Sequence, residues 1–194
     1  MEEYRLSNGM TIPKIGFGTW QIPDGEEVYN SVTHALKVGY RHVDTAQIYR
    51  NEVGVGRAIA DSDLARENIF LTTKIWNDKH DYDLAKASIE ESLEKLGVDY
   101  VDLLLIHWPN PKALREKDAW KAGNAGAWKA MEEAYQAGKV RAIGVSNFLQ
   151  PHIEALSEIS DVVPAVNQIE ISPLNAQIEL TKYCQDRGIA VEAM

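Results

Sequence analysis

The stretch IFLTTKIW (Ile69–Trp76) decides the fold. Its first six residues, Ile69 to Lys74, are mostly apolar and β-branched or aromatic, which is the composition of a strand. Lys74 ends that run and Ile75-Trp76 follow it. A lysine at the end of a strand that is apolar on both faces is costly to bury unless it is paired. The strand therefore asks for a partner charge, supplied by another segment at the same end of a sheet.

Six further short runs fit that sheet: Lys14–Gly18, His42–Thr45, Val101–His107, Ala142–Ser146, Ala165–Gln168 and Ala190–Ala193. They are nearly all apolar, as strands covered on both faces are. Amphipathic helical stretches lie between them, and several stop at a glycine: Gly39, Gly97, Gly138 and Gly188. Strand-then-helix repetition predicts an α/β fold with a parallel sheet. A doubly wound open sheet and a (β/α)8 TIM-barrel type both satisfy it. Asp44, Lys74, His107, Ser146 and Gln168 decide between them, because each sits at the C-terminal end of a different strand. Function gathered from many strand ends is the barrel pattern. An open sheet would instead place a glycine fingerprint after its first strand. GFGTWQ (Gly16–Gln21) lacks the third glycine, and GVGRAI (Gly54–Ile59) follows no strand and lies inside a helical pattern.

Ahead of the barrel, Tyr4–Gly18 reads as a β-hairpin with Asn8-Gly9 as a type I′ turn. NPKALREKDAWKAGNAG, after the fourth strand, reads as the longest irregular connection. Residues 1–194 are taken as one domain. Seven strands are legible where a closed barrel needs eight. The expectation is a C-terminally incomplete barrel, truncated within strand seven, with open edges that favour self-association.

The chain holds 20 basic and 29 acidic side chains, a net charge of −9. An acidic chain without a basic stripe argues against nucleic acid as a partner. The longest apolar run, Leu103–Ile106, is too short to span a membrane. MEEYRLSNGM lacks the apolar core of a signal peptide. The single cysteine, Cys184, fits a reducing compartment and reads as a packed or surface thiol. The expected location is cytoplasmic.

The barrel reading brings Asp44, Tyr49, Lys74 and His107 to one mouth. Taken singly, Asp44 reads equally as a turn cap, Tyr49 as a packed ring and His107 as a satisfied imidazole. Together they make a proton-transfer site. An ammonium at Lys74 stabilises a phenolate at Tyr49, and Asp44 holds that ammonium charged. Tyr49 then becomes a general acid for a developing alkoxide, and His107 donates to the same oxygen. The chemical rival is a Schiff-base lysine, which wants a depressed lysine pKa where Asp44 would raise it.

GFGTWQ, GYRHVDTAQIYRNEVGVGRAI, LTTKIWND, DLLLIHWP, GKVRAIGVSNF and PAVNQIE closely resemble the aldo-keto reductase family, and its bacterial 2,5-diketo-D-gluconate reductase-like members in particular. The resemblance runs through essentially the whole chain. It implies reduction of small carbonyls, α-dicarbonyls or keto sugars by NADPH, with NADH as the alternative, on a (β/α)8 barrel without a metal. It implies Tyr49 as proton donor with Asp44, Lys74 and His107 completing a catalytic tetrad. It assigns Ser146, Asn147 and Gln168 to the nicotinamide carboxamide, and Gly18, Thr19 and Asp44 to close approach of the cofactor. Trp20, Trp76, His107 and Trp108 fall where such proteins line the substrate pocket. Met194 stands where the family usually carries an aromatic residue over the nicotinamide. The rival reading is a catalytically impaired fragment that acts as a binding or assembly module.

Overall fold

The computed structural model describes residues 2–194. A hairpin of β1 (Glu3–Arg5) and β2 (Thr11–Pro13) precedes seven strands: β3 (Phe17–Gly18), β4 (His42–Asp44), β5 (Phe70–Ile75), β6 (Leu103–Ile106), β7 (Ile143–Ser146), β8 (Val166–Ile169) and β9 (Ala190–Ala193). The seven are parallel and pair in chain order, so β3 and β9 are the edges of an open, curled barrel sheet. Six helices cross between them: α1 (Glu26–Lys37), α2 (Glu52–Ala60), α3 (Tyr82–Leu96), α4 (Ala119–Gln136), α5 (Gln150–Ser157) and α6 (Ile178–Gln185). The (β/α) architecture and its seven-strand extent match the reading of the sequence.

The two-residue period of each strand divides the core. Leu71 and Ile75 of β5, Leu104 and Ile106 of β6, and Ile143 and Val145 of β7 point outward to the helices. Phe70, Leu103, Leu105, Ala142, Val166 and Ala190 point inward and fill the lower interior, where Leu6 and Ile12 of the hairpin plug it. The inward row continues upward as Asp44, Lys74, His107, Ser146, Gln168 and Glu192. Alternation thus lifts a polar layer onto an apolar floor.

Local chemistry sets the helix ends. The Asp81 carboxylate accepts from the N–H groups of Asp83 and Leu84 at 3.0 and 3.3 Å and caps α3, which Gly97 then ends at φ +63°. Gly56 lies in α2 because α3 passes close by. A Cβ there would stand 2.2 Å from the Leu96 carbonyl oxygen. The Gly54–Ile59 stretch is therefore a helix–helix crossing and not a phosphate loop.

Two local expectations are corrected. The hairpin does not turn through a type I′ pair, since Gly9 alone of Asn8-Gly9 has positive φ, +89°. Leu6 N–H donates to the Met10 carbonyl and Gly9 N–H to that of Leu6, so Ser7, Asn8 and Gly9 form a three-residue loop with a left-handed glycine. Asn8 is then free to donate its side-chain amide to the Arg141 carbonyl at 3.1 Å, which ties the hairpin to the barrel floor. The second correction concerns AWKAGNAG, read as loop, which is the first part of α4. Its glycines mark contact with the preceding crossover. A Cβ on Gly123 would meet Leu114 Cδ1 at 2.6 Å, and one on Gly126 the Tyr82 nitrogen at 2.9 Å.

Gly56→Ala should destabilise the fold by about 1–3 kcal/mol, because α2 must move off the α3 backbone; urea unfolding measures it. Burial pushes the His42 imidazole down to about 4, and that of His80 likewise to about 4. The unfolded chain therefore binds more protons than the native one between about 6.5 and about 4. Stability should fall as pH drops through that window, and the melting temperature of His42→Gln should fall less steeply over it.

Candidate active site

The site is a cleft of about 1070 Å³ at the C-terminal mouth, continuing down the open side toward the hairpin. Gly18, Trp20, Asp44, Tyr49, Trp76, His107, Trp108, Asn147, Gln168 and Met194 line it. Trp20 and Trp108 are exposed at its rim. Three residues expected here do not line it: Thr19, Lys74 and Ser146 are fully buried. The Thr19 hydroxyl donates to the Asp44 carbonyl at 3.1 Å, so it braces the end of β4. The Ser146 hydroxyl donates to the Gln168 carbonyl at 2.9 Å and ties β7 to β8.

Lys74 lies behind the cleft wall. Its ammonium donates to Asp44 Oδ1 and, at 3.0 Å, to the Thr45 carbonyl. It also stands 5.2 Å from the centre of the Tyr49 ring. Burial by itself lowers its pKa. Asp44, Tyr49 and Glu192 outweigh burial and hold the lysine pKa above its ordinary value. An ammonium so held is a poor Schiff-base nucleophile.

Tyr49 closes the 3-10 turn Gln47–Tyr49 that follows β4. Gln47 pins this turn: its amide oxygen accepts from Trp76 N–H at 2.9 Å, and its nitrogen donates to Ser92 Oγ and the Ser88 carbonyl. Against expectation, the phenol pKa is raised. Burial pushes it up more than the Lys74 charge pulls it down, and Asp44 adds to the rise. The desolvation that brings Tyr49 to the wall also disfavours its anion, so Lys74 offsets only part of that cost.

His107 sits beside both rings, 5.8 Å from Tyr49 and 5.1 Å from Trp76 between centres, each edge to face. Burial and then the Lys74 charge push its imidazole down to about 3, against the pull of Asp44. It is neutral at neutral pH and keeps one N–H to donate. Its carbonyl accepts from Asn147 Nδ2 at 3.0 Å, and Asn147 takes a left-handed φ of +61° to make that bond.

The amides expected to meet a ligand are already engaged through their nitrogens. Asn147 Nδ2 also contacts Ser146 Oγ at 3.1 Å. Gln168 Nε2 donates to Asp44 Oδ2 at 2.8 Å and to Glu192 Oε1 at 3.0 Å. Their oxygens accept no hydrogen bond among the described residues. Lys14 is the one cationic lysine or arginine among the described residues that line the cleft.

Two polar groups, the buried Asn51 and the half-buried Glu192, escaped the sequence reading. Asn51 looks like a helix cap but bridges segments: it accepts from the Thr45 hydroxyl at 2.8 Å and donates to the carbonyls of Thr19 and Ile22. Glu192 passed as part of an apolar strand. The signal was present, because an acid inside AVEA poses the question that Lys74 poses inside IFLTTK.

The Aldo/keto reductase family model matches residues 14–194. The chain is similar to the glyoxal reductase of Bacillus subtilis, 46% identical over 189 residues, covering 97% of this chain and 65% of that protein. It superposes on an aldo/keto reductase from Brucella melitensis with a TM-score of 0.93 at 44% identity, covering 100% of this chain and 72% of the other. An aldo-keto reductase of Bombyx mori, solved in complex with NADP, gives a TM-score of 0.85 at 40% identity over 99% of this chain and 65% of its own. The seven-strand barrel sheet, the polar ring at its mouth and a family match over nearly every residue agree: the chain belongs to the aldo/keto reductase family.

Proposed function

We propose that this chain carries the carbonyl-reducing site of an NADPH-dependent oxidoreductase, acting on aldehydes and ketones such as α-dicarbonyls or keto sugars. The observation that carries the reading is the buried Lys74 ammonium, paired with Asp44 and facing the Tyr49 ring beside a neutral His107. Such a pair contributes little to stability, since buried ions cost about as much to desolvate as they regain. Its position behind a phenol and an imidazole suits proton transfer. The similar Bacillus subtilis protein is a glyoxal reductase, which supports the substrate class.

The cleft fits the nicotinamide end of the cofactor. Asn147 Oδ1 and Gln168 Oε1 offer two acceptors for a carboxamide, Gly18 leaves the wall open, and Met194 adds an apolar side chain at the edge. Thr19 contributes by bracing Asp44 rather than through a free hydroxyl. When bound, the reduced nicotinamide supplies the hydride. The chain's own residues handle the oxygen. The neutral His107 donates a hydrogen bond to the substrate carbonyl and orients it. Tyr49 gives its proton as the alkoxide forms. Lys74 contributes most at that moment, because its attraction to the phenolate grows as the proton leaves, while the burial of the ring is already in place. Trp20, Trp76 and Trp108 shape the apolar wall against the substrate's carbon atoms.

Among the described residues no helix is long and apolar enough to cross a membrane. The lone buried Cys184 suits the reducing cytoplasm. The free edges of β3 and β9 offer places where a second copy could pair.

The test is NADPH oxidation with glyoxal, by this chain alone and by the chain joined to the C-terminal third of the Bacillus subtilis relative. Clear turnover is expected from the joined protein and weak or no turnover from the chain alone, whose cleft has one lysine for the cofactor phosphates. No turnover by the joined protein would sink the reading. In the active form, Tyr49→Phe should lower kcat by about 10²–10⁴-fold with the fold intact by circular dichroism. Lys74→Met should lower kcat similarly while leaving KM for glyoxal within about threefold, because the ammonium acts on the transition state.

A further inference from the structure

Glu192 has no part in the mechanism above, yet its carboxyl lies in the polar layer. It projects from β9, in register with Gln168 of β8. Its Oε1 accepts from Gln168 Nε2 at 3.0 Å, and its Oε2 is buried without a partner. The other hydrogen of the same Gln168 nitrogen goes to Asp44 Oδ2 at 2.8 Å. One amide nitrogen thus sits between two carboxyl groups. Both of its hydrogens are spent on them, and the amide oxygen has no such contact.

We infer that Glu192 is a positioning residue: with Asp44 it fixes the orientation of the Gln168 amide, so that Oε1 faces the cleft as an acceptor for the carboxamide of a nicotinamide ring. The ligand rests on the function proposed above. The orientation rests on the hydrogen bonds alone. An amide can flip end for end at little cost when its surroundings treat oxygen and nitrogen alike. Here they do not. A flipped Gln168 would turn its oxygen to two acceptors and its nitrogen to the cleft, exchanging two hydrogen bonds for two repulsions. Asp44 alone leaves one of the two hydrogens unclaimed, and Glu192 claims it.

The charges around Glu192 make the arrangement sensitive to protons. Asp44 and His42 come from β4, with ligand-type atoms of His42, Asp44 and Glu192 all within 4.8 Å of one another. Lys74 comes from β5, and β8 contributes the uncharged Gln168. His42 is held neutral by burial, so among the described residues Lys74 is the one cation beside the two acids. Burial, and then the Asp44 charge, push the Glu192 carboxyl up to about 7, against Lys74 and the Gln168 hydrogen bond. Protonation would weaken Glu192 as an acceptor just where the amide needs it.

Nuclear magnetic resonance of the Gln168 side-chain amide in the 194-residue chain tests this, with the signal assigned by its loss in Gln168→Met. In the parent chain the amide shift should move with a midpoint near 7. Glu192→Gln keeps an acceptor oxygen but cannot ionise, so it should lose that midpoint and bind NADPH within about twofold of the parent. Glu192→Leu removes both, so it should lose the midpoint and weaken NADPH binding by about tenfold, the worth of one well-placed hydrogen bond. A parent amide without a pH response, or a Glu192→Leu variant that binds NADPH as the parent does, overturns the inference. NADPH binding is measured in the parent and variants joined to the C-terminal third of the Bacillus subtilis relative, and a clear pH response with no NADPH binding by the joined parent overturns instead the proposed cofactor, and with it the ligand named for Oε1.

Discussion

The ion pair between Lys74 and Asp44 is the constraint around which the upper half of the molecule is organised. A fully buried ammonium survives only with compensation on every side. Asp44 and the Thr45 carbonyl supply it directly. Asp44 must then be fixed in turn, and Thr19 and Gln168 do so from two other strand ends. Glu192 holds Gln168, Asn51 holds the segment carrying Thr19, and Gln47 holds the turn carrying Tyr49. The network joins β3, β4, β5, β8 and β9 through polar contacts above an apolar floor. Apolar replacement of such a pair is often neutral or stabilising. Stability therefore does not explain it, while a phenol and a neutral imidazole against its face do.

The site is electrostatically uneven. Burial keeps Tyr49 protonated and His107 neutral, so both arrive as hydrogen-bond donors. Lys74 remains charged in the same surroundings because two acids face it. Three groups of different chemistry are thus held in distinct protonation states by burial and by one another's charges. The open side between β3 and β9 contrasts with this. The cleft runs there from the polar mouth down to the hairpin plug, where the interior is apolar.

Much of this was legible in the linear sequence because strand geometry is periodic. Apolar runs ending in Asp44, Lys74, His107, Ser146 and Gln168 gave the strand ends, and glycine stops gave the helix ends. The failures have a common cause. Gly123 and Gly126 read as loop because glycine breaks isolated helices, yet α4 keeps them where the crossover before α3 presses close. Asn8-Gly9 read as a two-residue turn, and its side-chain bond to Arg141 favours a longer one. Thr19 and Ser146 are buried, and their hydroxyls donate to neighbouring carbonyls, which their places in the sequence do not reveal.

By itself the sequence determined the alternation of strand and helix, the parallel sheet and the polar residues that end its strands. Those follow from local period and from the cost of burying Lys74 alone. Only the tertiary structure decided the electrical state of the site. Burial raises the phenol of Tyr49 where the nearby lysine suggested a fall, and it makes Glu192 a partner of Gln168. Desolvation and hydrogen-bond orientation depend on what surrounds a group in three dimensions, and residues 124 positions apart, as Asp44 and Gln168 are, meet only after the chain has folded.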